Sequence, residues 1–188
     1  MGRKGFTLIE LLTATALLTA ALGMVWQVWF SAGHTAQVIE KKMATTTGAS
    51  HALAIMRREL RQSSRASWSS LPAERLTYRI PEDRDGDGLP LDAAGAPELS
   101  EERALTRDME DANGDGITAS QLVLITSSGV VVLANNLDVL DADNPESVGL
   151  RFTEDGGGLQ VVLSLHMKTR RDLELRSAIT EYIFPRNP

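Results

Sequence analysis

The sequence predicts an α+β protein in which a long N-terminal membrane-embedded helix packs on an antiparallel β-sheet head. Residues 6–30 are almost entirely apolar, and no proline occurs before Pro72. After this helical stretch the hydrophobic pattern changes to period two, with many β-branched residues. At 188 residues and 43% hydrophobic composition, the chain can bury one core in addition to a membrane helix.

The apolar segment from Phe6 to Phe30 has the length of a membrane span. As an α-helix it would measure about 37 Å, compared with about 30 Å for the hydrocarbon layer of a bilayer. Arg3 and Lys4 precede the segment, and the next Lys or Arg is Lys41. The positive-inside rule therefore predicts a single-pass protein with its N-terminus in the cytoplasm and its C-terminus outside.

Glu10 is the unusual residue of this segment. A carboxylate costs about 2.5–3.5 kcal/mol at the centre of a bilayer, so we expect another group to compensate it. An ordinary secretory signal peptide would have a shorter apolar region followed by a cleavage site with small residues. The alternative is a plain anchor helix whose acid faces a helical neighbour by chance.

The residues around Glu10 also carry a family resemblance. The prepilin motif of type IV pilins and type II secretion pseudopilins resembles the run Lys4-Gly5-Phe6-Thr7-Leu8-Ile9-Glu10-Leu11-Leu12. The resemblance implies that a prepilin peptidase cuts after Gly5 and methylates Phe6. It also implies that Glu10 pairs with the α-amino group of a neighbouring subunit's Phe6 during assembly.

The same resemblance implies a pilin-like fold, partners and a location. The expected partners are other major and minor pilin or pseudopilin subunits, the prepilin peptidase and the inner-membrane assembly platform. The chain would lie in the inner membrane before assembly, and in a periplasmic or cell-surface filament afterwards.

We divide the chain into a leader (1–5), a transmembrane and assembly helix (6–30), an amphipathic continuation of the helix (31–66) and a β-rich head (67–188). Gly33 and Gly48 could interrupt the helix. The continuation has apolar residues at spacings of three and four, which predicts a stripe packed on a sheet. These residues are Ala49, Ala52, Leu53, Met56 and Leu60.

The head is predicted to contain six strands. They are Arg75 to Ile80, Gln121 to Thr126, Val130 to Ala134, Gly149 to Thr153, Leu159 to Lys168 and Glu174 to Phe184. Tight connections at Ser127-Ser128-Gly129 and Asp155-Gly156-Gly157-Gly158 predict two hairpins.

A looser resemblance covers the C-terminal half. It links the chain to the W-type minor subunits of type IV pili and the J-type minor subunits of type II secretion systems, which belong to the priming complex at the filament tip. The residues concerned are Met56 to Gln62, Leu133 to Leu137, Leu173 to Ser177 and Pro185 to Asn187. An acidic insertion at 81–116 departs from a compact head of this kind.

The acidic insertion contains two patterns that match the opening of a calcium loop. They begin at Asp83 and Asp111, and oxygen-bearing side chains alternate before a glycine in each. Calcium prefers six to eight hard oxygen ligands, and this spacing supplies three side chains followed by a backbone carbonyl. The candidate ligands are Asp83, Asp85, Asp87 and Leu89 in the first loop, and Asp111, Asn113, Asp115 and Ile117 in the second.

The closing ligand of both loops departs from the calcium pattern, because Ala94 and Leu122 stand where a bidentate acid is expected. Asp92 could close the first loop, and Asp108 or Glu110 could fold back on the second. The alternative is a pair of solvated acidic turns, since Asp and Gly favour turns. Asp138, Asp141, Asp143 and Asn144 are interpreted as a turn only.

No catalytic motif is evident, so we expect no enzyme activity. The three histidines lack metal-ligand spacing, there is no phosphate-binding loop, and the net charge of −6 disfavours nucleic-acid binding. A third function, a membrane-anchored hydrolase that uses a carboxylate pair of the acidic loops, has no motif in its favour, so two functions remain. One is a minor pilin or pseudopilin that primes or sits near the tip of a type IV pilus or type II secretion pseudopilus. The other is a membrane-anchored, calcium-dependent binding or adhesion module at the cell surface.

Overall fold

The structure is a computed structural model, and it describes residues 7–69, 73–138, 149–168 and 174–186. The predicted leader, with Gly5, and the neighbouring Phe6 lie outside the described residues. So do Asp141, Asp143 and Asn144 of the predicted acidic turn. The remaining predicted site residues are all within the described part of the chain.

Helix α1 extends from Leu8 to Gln62 and is followed by a single 3₁₀ turn at Arg65–Ser67. It continues through Gly33 and Gly48 without interruption. Two compact units divide the chain, Met1–Lys41 and Lys42–Pro188, and α1 contributes residues to both.

The second unit contains two antiparallel sheets. The first has the order β1-β2-β3-β4 and the second has the order β5-β6-β7. The strands are β1 (Arg75–Tyr78), β2 (Arg103–Arg107), β3 (Gln121–Thr126), β4 (Gly129–Asn135), β5 (Leu150–Asp155), β6 (Gly158–Lys168) and β7 (Glu174–Ile183). The predicted class, an α+β fold with a long helix and antiparallel sheet, is confirmed.

The six predicted strands are present, with ends shifted by a few residues, but the sequence analysis missed β2. This strand lies inside the segment 81–116 and pairs with both β1 and β3, so Leu105 faces Leu76 on one side and Leu124 on the other. The acidic residues therefore belong to two loops, one before β2 and one after it.

Both predicted hairpins are confirmed. Thr126 pairs with Gly129 across the turn between β3 and β4, and Asp155 pairs with Gly158 between β5 and β6. In the second turn Gly156 and Gly157 have φ values of 55° and 92°. Two successive residues with positive φ produce the turn that matches the twist of a hairpin, which explains the glycines.

The core of the second unit lies between α1 and the two sheets. All five residues of the predicted stripe are buried on α1, where they join apolar residues from both sheets in one cluster. Glu59 is also buried on this helix. Arg103 Nη1 donates to Glu59 Oε2 at 2.9 Å, and the Tyr78 hydroxyl donates to the same oxygen at 3.3 Å. These donors compensate a carboxylate that would otherwise be costly to bury.

Arg107, at the end of β2, is a second buried charge. Its guanidinium donates to the carbonyls of Ala119 and Asp138 at 2.7 and 2.8 Å, and its Nε lies 3.1 Å from a carboxylate oxygen of Glu74. Gly149 lies directly against this guanidinium, and a Cβ atom there would overlap it. The absence of a side chain at Gly149 makes room for the buried arginine.

Candidate functional site

Glu10 lies in the first turn of α1 and interacts with Thr7, the residue that precedes the helix. Glu10 Oε2 accepts hydrogen bonds from the Thr7 backbone N–H at 2.9 Å and from the Thr7 hydroxyl at 3.0 Å. In return, the Glu10 N–H donates to Thr7 Oγ1 at 3.2 Å. This reciprocal pattern is a capping box, which satisfies the free backbone groups at the start of a helix.

The segment that follows Glu10 is exposed along its whole length. Among the described residues, α1 is the helix that is long and apolar enough to cross a membrane, with a mean hydropathy of 1.9 in its most apolar window of 18 residues. None of that window is buried within the chain. A continuous exposed apolar surface of this size requires a cover, such as lipid or other helices.

The first acidic loop brings the carboxylates of Asp83, Asp85 and Asp87 together, with ligand oxygens within 4.8 Å of one another. The two oxygens of Asp83 accept hydrogen bonds from the N–H groups of Gly86 and Gly88 at 2.7 and 2.8 Å. Asp85 and Asp87 each accept one from the backbone N–H two residues further on, at 3.0 and 2.7 Å. All three carboxylates are exposed to solvent.

The second loop repeats this pattern with one amide in place of a carboxylate. Asp111 accepts a hydrogen bond from the N–H of Gly116, five residues further on. Asn113 Oδ1 and Asp115 Oδ1 each accept one from the N–H two residues further on, at 3.1 and 2.8 Å. The two loops therefore fold their first, third and fifth positions in the same way.

Side chains of the second loop bond to residues of the first sheet, whereas the bonds of Asp83, Asp85 and Asp87 described above stay within the first loop. Gln121, buried at the start of β3, donates to Asp115 Oδ2 at 2.8 Å and to Asn135 Oδ1 at 3.0 Å. Its own Oε1 accepts from Asn113 Nδ2 at 2.9 Å. The buried glutamine thus fixes two candidate ligands against the core.

These hydrogen bonds also stabilise the charged forms of two carboxyl groups. Donation from the N–H of Gly88 is the main cause that lowers the pKa of Asp83 from its usual value of 3.8. The Gln121 amide lowers the pKa of Asp115 in the same way. Both groups are thus anionic at neutral pH, as a cation site requires.

The proposed closing ligands do not complete a three-carboxylate group in the described part of the chain. Asp92 Oδ1 accepts hydrogen bonds from the N–H groups of Ala94 and Ala96 and forms a turn of its own. Asp108 Oδ1 accepts from the N–H of Ala112 at 2.9 Å. Leu89 and Ile117, the proposed carbonyl ligands, lie two residues after Asp87 and Asp115, and their N–H groups donate to those carboxylates.

Sequence reasoning missed two residues that bond to candidate site residues, Thr7 and Gln121. Thr7 could have been recognised, because a threonine three residues before a glutamate is the signature of a capping box. Gln121 had no such signal, because its bonds join the second loop to strands that are distant in sequence.

The family model of the prokaryotic N-terminal methylation motif matches residues 1–26. No curated protein and no solved structure matches the chain. The match includes Gly5, Phe6 and Glu10, and it supports a structural subunit of the pilin or pseudopilin type. Such a subunit is processed by a prepilin peptidase, is anchored by its N-terminal helix and assembles with other pilin subunits.

Proposed function

We propose that this protein is a minor pilin or pseudopilin, which primes or sits near the tip of a type IV pilus or type II secretion pseudopilus. The observation that carries the proposal is the methylation motif at residues 1–26, which includes most of the exposed apolar stretch of α1. A subunit of this kind exchanges lipid for neighbouring helices when it enters a filament. It needs no catalytic centre, so we do not expect an enzyme.

The minor role is supported by the resemblance of the head to W-type and J-type subunits. Leu133 to Leu137, one of the resembling runs, covers the end of β4 and the two residues after it, and its Leu133, Ala134 and Leu137 are buried. The acidic loops, one before β2 and one after it, carry exposed carboxylates. Such loops are not expected on a surface that repeats along a whole filament. A specialised subunit present in few copies accommodates such loops more readily than a major subunit.

The first test concerns processing. Replacing Gly5→Val should leave the full-length precursor in the inner membrane, because a bulky residue precedes the bond that the peptidase cuts. The mass of the purified protein and the methylation of Phe6 measure this directly. A matched replacement in the apolar helix, Ala14→Val, should be processed normally. Normal cleavage of the Gly5→Val chain would contradict the proposal.

The second test concerns assembly. Replacing Glu10→Gln keeps the size of the side chain but removes the charge that would pair with the α-amino group of a neighbour. We expect incorporation into filaments to fall by about tenfold or more, since breaking a buried charge pair costs about 2–5 kcal/mol. Thr15→Val is the control, because the Thr15 hydroxyl donates to the carbonyls of Leu11 and Leu12 in its own helix. Equal incorporation of the two variants would contradict the proposed role of Glu10.

We also propose that the acidic loops bind calcium, with Asp83, Asp85 and Asp87 as the first ligands. Their oxygens lie within 4.8 Å of one another, and hard carboxylate oxygens are the donors that calcium prefers. In the second loop Asp111, Asn113 and Asp115 take the equivalent positions. Without a closing acid, we expect dissociation constants of about 0.1–1 mM, in the range of extracellular modules.

Calcium should raise the melting temperature of the protein in detergent and protect residues 83–116 from proteolysis. Asp85→Asn should weaken the first-loop effect, while Glu102→Gln, outside both patterns, should not. Unchanged melting and no calorimetric heat at millimolar calcium would contradict this proposal. If calcium binds, and the unprocessed Gly5→Val chain still binds its target at the cell surface, the calcium-dependent adhesion module becomes the better interpretation.

A further inference from the structure

The apolar part of α1 has its large aromatic residues at one end. Trp26, Trp29 and Phe30 are 65%, 70% and 56% exposed, and no aromatic residue occurs between Thr7 and Val25. The rings of Trp26 and Trp29 lie next to each other, with centroids 5.9 Å apart and planes tilted by 41°. Tryptophan combines an apolar body with an N–H donor, and it concentrates where hydrocarbon meets lipid headgroups.

The distance along the helix agrees with such a boundary. Trp29 follows Glu10 by 19 residues, which corresponds to about 28 Å of helix and matches the roughly 30 Å hydrocarbon layer. Polar residues follow the aromatic group at once, beginning with Ser31, and the charged residues Glu40 and Lys41 come later. A span that begins near Glu10 therefore ends at the tryptophans.

We propose that Trp26, Trp29 and Phe30 form an aromatic collar that binds the headgroup boundary of the outer leaflet. The collar sets the depth of the helix, so that Glu10 lies at the opposite, cytoplasmic boundary instead of the centre of the bilayer. A carboxylate costs less there, and the capping box with Thr7 adds local hydrogen bonds. The inference rests on the membrane-anchored precursor of the proposed function, but not on filament assembly.

The surface beside the collar favours a lipid partner. Leu22, Gly23 and Val25 line a shallow apolar groove next to the two tryptophans. Apart from the adjoining helix backbone and chain neighbours, no atom of the described residues lies within 4 Å of the position where Gly23 would carry a Cβ, so the groove is open beside the rings. The part of an acyl chain next to its headgroup fits such a groove, while the indole N–H groups reach the headgroups.

The depth of the tryptophans can be measured by fluorescence quenching of the full chain in phosphatidylcholine vesicles. Lipids brominated near the headgroup should quench the emission more strongly than lipids brominated near the end of the acyl chains. The double variant Trp26→Phe/Trp29→Phe provides the blank, because Trp68 is buried in the head. Stronger quenching by the deep bromines, or none by either lipid, would overturn the proposal.

Contact between helices is the alternative occupant of the groove, and the same samples distinguish it. If the emission changes with the protein-to-lipid ratio and not with bromination, a second copy covers the tryptophans and the lipid proposal is wrong. The vesicles contain no other filament subunit, so a failure of filament assembly would leave this result unaffected.

The effect of the collar on depth needs a second measurement. The chain has no cysteine, so a single spin label at Leu12→Cys reports the depth of the opposite end. Removing the collar with Trp26→Ala/Trp29→Ala/Phe30→Ala should shift this label by about one helical turn, or 5.4 Å. The control Leu11→Ala/Leu17→Ala/Leu18→Ala removes exposed apolar surface outside the groove without removing aromatic rings. Equal shifts in the two variants would overturn the proposed depth-setting role.

Discussion

The two ends of helix α1 follow opposite rules. From Leu8 to Phe30 nearly every residue is apolar and none is buried, whereas from Ala49 to Leu60 five apolar residues recur at helical spacing and are buried in the core. The first part is as apolar as a protein interior although it is exposed, as expected of a segment that lipid or other helices surround. The second part is an ordinary amphipathic helix. A uniform secondary structure thus contains two regions whose stability depends on different surroundings.

The largest effect should come from the buried end. Leu60→Ala removes a fully buried side chain and should lower the free energy of unfolding of the head by about 2–5 kcal/mol. Leu18→Ala, at a 61% exposed position, should change it by less than about 0.5 kcal/mol. Chemical denaturation in detergent measures both. Similar losses for the two variants would contradict the division of α1.

Two glycines of the second unit, one on α1 and one just before β5, should respond with opposite signs. Gly149→Ala forces a methyl group against the Arg107 guanidinium and should destabilise the head by about 1–3 kcal/mol. Gly48→Ala has open space around it within α1 and should stabilise the helix by about 0.5–1 kcal/mol. Melting temperatures of the two variants provide the comparison. A stable Gly149→Ala variant would show that Arg107 can move without cost.

A smaller effect is expected at the buried Glu59. Tyr78→Phe removes one of its donors and should cost about 0.5–1.5 kcal/mol, because Arg103 still bonds the carboxylate. Burial, together with the Glu59 charge, raises the pKa of Tyr78 above its usual value of 10.0. The unfolded chain therefore releases this proton first, and stability should fall as the pH rises above about 10. Tyr78→Phe should reduce that fall when unfolding is followed at several pH values.

The smallest effect on the stability of the protein is expected from the acidic loops, and it should occur at low pH. The pKa of Asp83 and that of Asp115 are lowered in the folded protein, so their contribution is present above the usual value of 3.8. It is lost as the pH falls through the lower folded values. The amide resonances of Gly88 and Ile117, whose N–H groups donate to these two carboxylates, should shift in this range, while that of Gly48 should not. Shifts that begin near neutral pH would contradict the assigned hydrogen bonds.

Most of the fold could be predicted from the sequence, because strand patterns and turn glycines depend on residues that are close together in the chain. Gln121 to Thr126 was placed without error, and both hairpins followed from their glycines. Strand β2 was missed because its five residues begin and end with arginine, and its burial comes from pairing on both sides. The tie between Gln121 and Asp115 depends on tertiary contacts, which no local pattern reveals. The methylation motif could be recognised from the sequence, because its residues have a short and fixed spacing.

The capping box at the start of α1 bears on the maturation of the chain. Both of its members, Thr7 and Glu10, lie after the predicted cut between Gly5 and Phe6. The groups that define the first turn would therefore remain together in the shortened chain. Removal of the leader would change the charge at the N-terminus while the helix keeps its own starting point. The first turn of the mature helix would therefore already be formed in the precursor, before the peptidase cuts.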